Sequence, residues 1–185
     1  SRDLLKQIDK GIARMSHLTN RLLALAKAEP RAIFTFAAVD LNLVASEAAS
    51  ELVTMALAKN LELEFEEAGK PALVRGDAAN LKELTTNLIE NAILYTGNGG
   101  TVTVNVLNSD GIKLIVEDTG SGIAPEERER VFERFYRVLG TQVDGSGLGL
   151  AIVKEIAEAH RAEVSVETGS SGKGTKFIVN FPASS

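Results

Sequence analysis

The feature that most restricts how this chain can fold is a change of hydrophobic rhythm at one proline. Ahead of Pro30, the residues Leu5, Ile8, Ile12, Met15, Thr19, Leu22 and Ala26 recur at heptad a/d spacing, with Leu4, Leu18 and Leu25 widening the stripe. One helix with so broad an apolar face must bury it on other helices. Residues 1–29 therefore read as one helix of an intermolecular bundle, with packing on the rest of the chain as the alternative. Glu29-Pro30 ends that helix, because a residue before proline is pushed out of the α region. Residues 30–39 read as a linker and first strand, and 40–185 as a separate unit.

In that unit the period alternates between helical and extended. Asp40 to Asn60 reads as a helix, Leu61 to Glu66 as a strand, and Asp77 to Tyr95 as a helix that Asp77 can cap. Thr101 to Leu107 and Lys113 to Glu117 read as strands joined by a turn at Ser109-Asp110-Gly111. Leu148 to His160 is a further helix, and Glu163 to Glu167 and Lys176 to Phe181 are strands. Because helices and neighbouring antiparallel strands are mixed rather than strictly alternating, the fold class expected is α+β. It is a two-layer α/β sandwich with helices on one face of the sheet, preceded by one helix of a dimeric helical bundle. Val138 to Ser146 has lost all periodicity, with Gly140 and Gly145 among polar residues.

A chain of 185 residues with 44% hydrophobic content can bury one such core. Its net charge of -5, with both signs interspersed, supplies no basic stripe for a phosphate backbone and argues against nucleic acid. The absence of cysteine excludes disulfides, thiolate catalysis and cysteine-ligated metals. No apolar run approaches the ~20 residues of a spanning helix, and Ser1 to Lys10 is too polar for a signal peptide. The chain itself is thus expected to be soluble and without membrane contact, a reading compatible with a membrane-bound parent.

Chemistry-bearing residues cluster in short segments. On the helix from Asp77, Leu81, Leu84, Leu88, Ala92 and Tyr95 form the core face, and Glu83, Asn87, Glu90 and Asn91 the opposite one. Amide oxygens of two asparagines one turn apart suit Mg²⁺, which takes its remaining ligands from phosphates and water; exposed polar positions are the plain alternative. Asp118-Thr119-Gly120-Ser121-Gly122 puts a carboxylate at a strand end beside glycines, able to accept from an exocyclic amine while a flat ring approaches the backbone. Gly145-Ser146-Gly147-Leu148-Gly149-Leu150 opens a helix, so its free amides suit phosphate. The spacing matches neither the dinucleotide fingerprint nor the P-loop. Gly172-Lys173-Gly174-Thr175 leads into the last strand, where a hairpin turn is the plain reading.

In order and spacing these segments resemble the N, G1, F, G2 and G3 boxes of sensor histidine kinases, whose ATP domain belongs to the GHKL superfamily shared with gyrase. Asn87-Leu88-Ile89-Glu90-Asn91-Ala92 resembles the N box, Asp118 to Gly122 G1, and Phe132-Glu133-Arg134-Phe135-Tyr136-Arg137 the F box. Gly145 to Leu150 resembles G2 and Gly172 to Thr175 G3, and the likeness covers roughly residues 36 to 182.

The resemblance implies a GHKL-type sandwich and ATP with Mg²⁺ as cofactors. Asp118 would bind the adenine amine, Gly120 and Gly122 shape the base pocket, and Thr175 lie nearby. Asn91 would coordinate Mg²⁺ with help from Asn87. Gly145 and the amides of Gly147, Leu148 and Gly149 would cradle phosphate oxygens. Arg134 or Arg137 would reach the terminal phosphates or remain a surface charge. Phe132 and Phe135 would anchor a lid at Val138 to Ser146. Glu90 would support catalysis by polarising the nucleophile.

By the same likeness the chain would be the catalytic portion of a protein-histidine kinase. It would pass the ATP γ-phosphoryl group to a histidine upstream of Ser1, for relay to an aspartate of a response regulator receiver domain. Residues 1–29 would be the second helix of the dimerization and phosphotransfer hairpin, making a homodimer in a full-length inner-membrane sensor whose cytoplasmic part this is. Alternatives are a GHKL ATPase and a nucleotide-binding or dimerizing module with decayed catalysis. Asn87 argues against the first, since hydrolysing members carry a glutamate base there and an asparagine takes no proton at neutral pH. Leu94 is the main support for the second, because the family usually carries a lysine or arginine at that position. His17 reads as a solvated helix residue and His160 as a helix C-terminal cap.

Overall fold

The computed structural model describes residues 34–137 and 147–182. The N-terminal helix, His17, the Val138 to Ser146 lid and Gly145 lie outside the described residues. Within them the chain runs β1 (Ala37–Asp40), α1 (Leu41–Ala58), β2 (Glu62–Glu66), β3 (Leu73–Gly76), α2 (Ala78–Tyr95), β4 (Thr101–Asn108) and β5 (Ile112–Asp118). Two short 3₁₀ turns, Pro125–Glu127 and Arg130–Phe132, precede α3 (Gly149–Ala159), β6 (Glu163–Thr168) and β7 (Thr175–Phe181).

The expected helices and strands are present with ends shifted by a residue or two. β3 was not expected: at four residues with only Val74 and Gly76 buried, it is too short for its alternation to stand out. It pairs antiparallel with β1 as a small separate ribbon, Val39 opposite Val74. The main sheet has the order β2-β4-β5-β7-β6. It is mixed rather than purely antiparallel, because β2 and β4 pair in parallel. The chain between them crosses over through β3 and α2, a connection that returns in the same direction.

Alternation in the strands decides which face is covered. Val102, Val104 and Val106 of β4, Leu114 and Val116 of β5, and Phe177 and Val179 of β7 are sealed from water. The register places Val104 beside Val116 and Val116 beside Phe177, so they form one continuous apolar face. The helices lie on it through Leu41, Ala45, Ala48 and Leu52 of α1, Leu81, Leu84, Leu88 and Ile93 of α2, and Ile152, Val153 and Ile156 of α3. Burying each large side chain contributes roughly 1.5–3 kcal/mol, so this interface dominates the stability. Helix α1 is long and apolar enough to satisfy the composition of a membrane span, but its apolar stripe is spent in this core.

Helix starts are handled in two ways. Asp40 Oδ1 accepts from the Asn42 N–H at 3.0 Å and from Ala72 N at 3.1 Å, capping α1 and tying it to the segment before β3. Asp77 Oδ1 accepts from Asn80 N at 3.0 Å and caps α2 as expected. The N-cap of α3 is Leu148, whose side chain brings no acceptor to the first turn.

Candidate functional site

The site grows from the inner row of β5. Leu114, Val116 and Asp118 alternate onto the helix-covered face, so the pattern that buries two apolar side chains also carries a carboxylate under the helices. Asp118 is 2% exposed. Its Oδ1 accepts from Gly120 N at 2.8 Å and from Thr175 N at 3.2 Å. Burial pushes the carboxyl above its ordinary range, and these backbone donors hold the rise back. Both backbone bonds fall on one oxygen and the Thr175 side chain also hydrogen-bonds the carboxyl; with four lone-pair sites the carboxylate still has acceptor capacity for a ligand's N–H.

Glycine is required around this carboxylate. A Cβ at Gly120 would collide with the carbonyl oxygen of Tyr95 at the end of α2. One at Gly174, whose φ is +73°, would strike the backbone carbonyl of Asp118. The structure therefore brings Asp118, Gly120, Gly122 and Thr175 into one tight backbone cradle beside the C-terminal turn of α2. The hairpin loop that supplies Thr175 is tied down by Glu117, the next residue on β5, which accepts from Ser170 N at 2.6 Å and Ser170 Oγ at 2.9 Å. Arg128 donates to Thr168 Oγ1 at 2.8 Å, bracing the same loop from the 3₁₀ segment. Sequence reasoning missed Glu117, Ser170 and Arg128; only the side-by-side placement of β5 and the loop reveals them.

Asn87 and Asn91 sit one turn apart on α2. Asn87 is not an exposed position: it is 3% exposed, with Nδ2 donating to the Glu83 carbonyl at 2.8 Å and to Glu83 Oε1 at 2.9 Å. Its Oδ1 remains the acceptor. Asn91 and Glu90 are half-buried. Neutral amide oxygens beside a carboxylate make a hard donor set that fits Mg²⁺ bound chiefly through phosphates and water. Tyr95, expected in the core, is only half-buried, and its carbonyl oxygen lies against Gly120. Leu94 is half-buried, and Lys59, which reaches its carbonyl, is engaged with the helix end. Lys59 Nζ caps the end of α2, donating to the carbonyls of Ile93 at 2.6 Å, Leu94 at 2.9 Å and Thr96 at 2.9 Å.

The segment up to Arg137 is only partly as expected. Phe132 packs against the core with its ring edge-on to Phe177, centroids 6.3 Å apart. Phe135, in contrast, is 61% exposed and takes a φ of 64° so that its N–H reaches Gly147 O at 2.9 Å. Its backbone, rather than its ring, anchors the start of α3. Arg134 pairs with Glu155 of α3 at 2.6 Å, as a surface charge would, and Arg137 is exposed. Gly147, Leu148 and Gly149 lead into α3, whose first N–H groups find no capping side chain at Leu148.

His160 ends α3 as a cap and not as a catalyst. Its Nδ1–H donates to Ile156 O at 2.7 Å, and its Nε2 accepts from Asp77 N at 3.0 Å. The rings of Phe34 and Phe36 cover it at 5.9 and 5.0 Å. Burial pushes the imidazole below its ordinary range, so the ring is neutral.

A mixed sheet with helices on one face, a buried strand-end carboxylate in a glycine cradle and a helix that begins in a glycine-flanked turn define an ATP-binding sandwich. The chain belongs to the histidine kinase-, DNA gyrase B-, and HSP90-like ATPase family, which matches residues 76–185. Within that family its relatives are sensor kinases. It is 37% identical to the sensor protein kinase PmrB of Pseudomonas aeruginosa, over 96% of this chain and 38% of that one. The mycobacterial sensor histidine kinase MprB superposes with a TM-score of 0.69 at 30% identity, over 80% of this chain and 97% of the solved one. Full-length ShkA in complex with AMPPNP gives a TM-score of 0.82 at 29% identity, over 98% of this chain and 38% of that one. The chain thus spans about two fifths of the length of the curated relatives it matches.

Proposed function

We propose that this chain is the ATP-binding catalytic portion of a two-component sensor histidine kinase, moving the γ-phosphoryl group of ATP to a histidine of an acceptor helix. The observation that carries the reading is the Asp118 cradle: a buried carboxylate with acceptor capacity left over, closed in by Gly120, Gly122, Gly174 and Thr175. A six-amino purine offers one N–H to the carboxylate, and the glycines, whose Cβ positions are taken up by the backbone of Tyr95, Asp118 and Gly174, let the chain around Asp118 close tightly. The residues 1–29, 30–39 and 40–185 then serve as dimerization helix, linker with first strand, and ATP-binding unit.

Catalysis here is positioning and charge stabilisation rather than a covalent enzyme step. Asp118 fixes the base, the amides of Gly147, Leu148 and Gly149 meet phosphate oxygens at the α3 start, and the lid segment with Gly145 covers them. Asn91 and Asn87 would hold Mg²⁺, which neutralises charge on the phosphates. The acceptor imidazole attacks the γ-phosphorus, the bond to the β,γ-bridging oxygen breaks, and ADP leaves. Glu90 stands on the same helix to polarise the incoming nitrogen, and Arg137 to meet the terminal phosphate. Asparagine at position 87 offers water no base, which preserves ATP for transfer. In the parent protein the unit would work as a homodimer on the cytoplasmic side of a membrane sensor and hand its phosphoryl group to a response regulator receiver domain.

The test mixes the chain with γ-labelled Mg-ATP and a histidine-bearing acceptor domain. Acid-labile label on the acceptor histidine is the expected result. Steady phosphate release without labelled protein would replace the kinase reading by hydrolysis, and ATP binding without either would leave a nucleotide-binding module.

A further inference from the structure

We infer that Glu83, one turn ahead of Asn87 on α2, is a positioning residue that locks the Asn87 amide with its oxygen toward the metal. The inference rests on the function proposed above. Asn87 Nδ2 carries two hydrogens, and the structure gives each an acceptor on the same residue: Glu83 O at 2.8 Å and Glu83 Oε1 at 2.9 Å. Rotating the amide by half a turn would set Oδ1 against two oxygens. Asn87 itself is only 3% exposed, so its amide has little access to bulk water that could relieve that repulsion. The amide is therefore held in one orientation before any ligand arrives.

A backbone carbonyl alone would take one hydrogen and leave the other to swing. Glu83 Oε1 takes the second and adds a full negative charge behind the amide. That charge draws the N–H toward itself, raises the electron density on Oδ1 and attracts a divalent cation in front of it. The arrangement parallels carboxylates that orient histidine ligands of zinc from behind. Glu83 never touches the metal or the phosphates.

The experiment uses the 185-residue chain and its Glu83→Ala and Glu83→Gln variants. ATP binding is titrated with Mg²⁺, and exchange of the Asn87 side-chain amide protons is followed by ¹⁵N NMR without nucleotide. Glu83→Ala should raise the Mg²⁺ concentration for half-maximal ATP binding about tenfold, with metal-free ATP affinity unchanged. It should also speed exchange of the Asn87 amide. Glu83→Gln keeps an acceptor at the same reach and should stay within about threefold of the unaltered chain. An unmoved Mg²⁺ midpoint in Glu83→Ala overturns the inference, as does amide exchange equally fast with and without Glu83. Should the unaltered chain bind ATP regardless of Mg²⁺, the metal role proposed for Asn87 falls, and with it this inference, whereas the proposed function is decided separately by transfer of label to histidine.

Discussion

Asp118 and His160 are both ionisable and almost sealed from water, at 2% and 4% exposure. Burial drives each toward its neutral form, the carboxyl upward and the imidazole downward. Their hydrogen-bond accounts differ. His160 has both ring nitrogens engaged inside the protein, by Ile156 O and Asp77 N, so it stitches the end of α3 to the start of α2. Asp118 gathers both backbone donors on one oxygen, and the Thr175 side chain also hydrogen-bonds the carboxyl. A shifted pKa marks both residues alike; what separates them is that each His160 nitrogen is paired within the fold, whereas a carboxylate with four lone-pair sites keeps room for the ligand proposed for Asp118.

The largest expected effect breaks the comparison at Asp118. In Asp118→Asn the amide oxygen can keep the bonds from Gly120 and Thr175, while an N–H₂ faces the adenine amine, donor against donor. ATP affinity should fall about 100-fold, near 3 kcal/mol, with the urea midpoint held or raised because the buried charge is gone. Calorimetric titration checks this, and unchanged affinity would remove Asp118 from the base pocket. The mirror experiment is His160→Ala, which empties a buried ring site and orphans Asp77 N. Unfolding free energy should drop by about 2 kcal/mol or more while ATP affinity moves less than about twofold.

The same pair should show opposite slopes with pH. His160 has a folded pKa below the ordinary 6.5, so the unfolded chain takes the proton first. Its contribution to stability is complete above 6.5 and is lost as pH falls through that value. Asp118 has a folded pKa above 3.8, so the folded chain holds the proton longer. Its contribution is present below 3.8 and fades as pH rises to the folded value. Each can bend the stability curve by at most about 1.4 kcal/mol per pH unit. Asp77, whose burial alone would raise it, is held below 3.8 by N–H donors from Asn80 and Thr35. It loses stability in acid, so only difference curves against His160→Ala and Asp118→Asn isolate the two slopes. A slope that survives either substitution assigns it elsewhere.

This contrast also marks what was legible in the sequence. Asp118 was legible because its neighbours are glycines and because strand alternation put it on the face of Val116. Asp77 and Asp40 were legible as caps or helix starts from position alone. The burial of Asn87 was not, since a pattern of opposite faces treats every polar residue away from Leu84 and Leu88 as exposed. In the structure Glu83 lies against that side, and Asn87 is 3% exposed. Phe135, expected to anchor a lid that lies outside the described residues, shows a feature no composition reveals: its ring is exposed and its backbone N–H bonds Gly147 at positive φ. β3 and the Glu117–Ser170 tie depend on contacts between segments distant in sequence, where local pattern is silent.

The smallest expected effect concerns the phosphate end. Arg134 lies against Glu155 at 2.6 Å, with side chains 47% and 24% exposed, so screening leaves the pair worth no more than about 0.5 kcal/mol. If phosphates are held by the amides at the α3 start, Arg134→Ala should shift the urea midpoint only slightly and leave ATP affinity unchanged. The helix itself supports this division of labour. α1 and α2 spend their first N–H groups on Asp40 and Asp77, whereas Leu148 offers α3 nothing of the kind. Gly147→Ala, whose Cβ would meet the Phe135 backbone at the φ of +68° that Gly147 holds, disturbs those amides and should therefore weaken ATP binding more than Arg134→Ala does. Were the order reversed, with Arg134→Ala costing tenfold in affinity at unchanged stability, the arginine would leave Glu155 when nucleotide binds. The phosphate end would then depend on a mobile side chain, in contrast to the fixed backbone that holds the base.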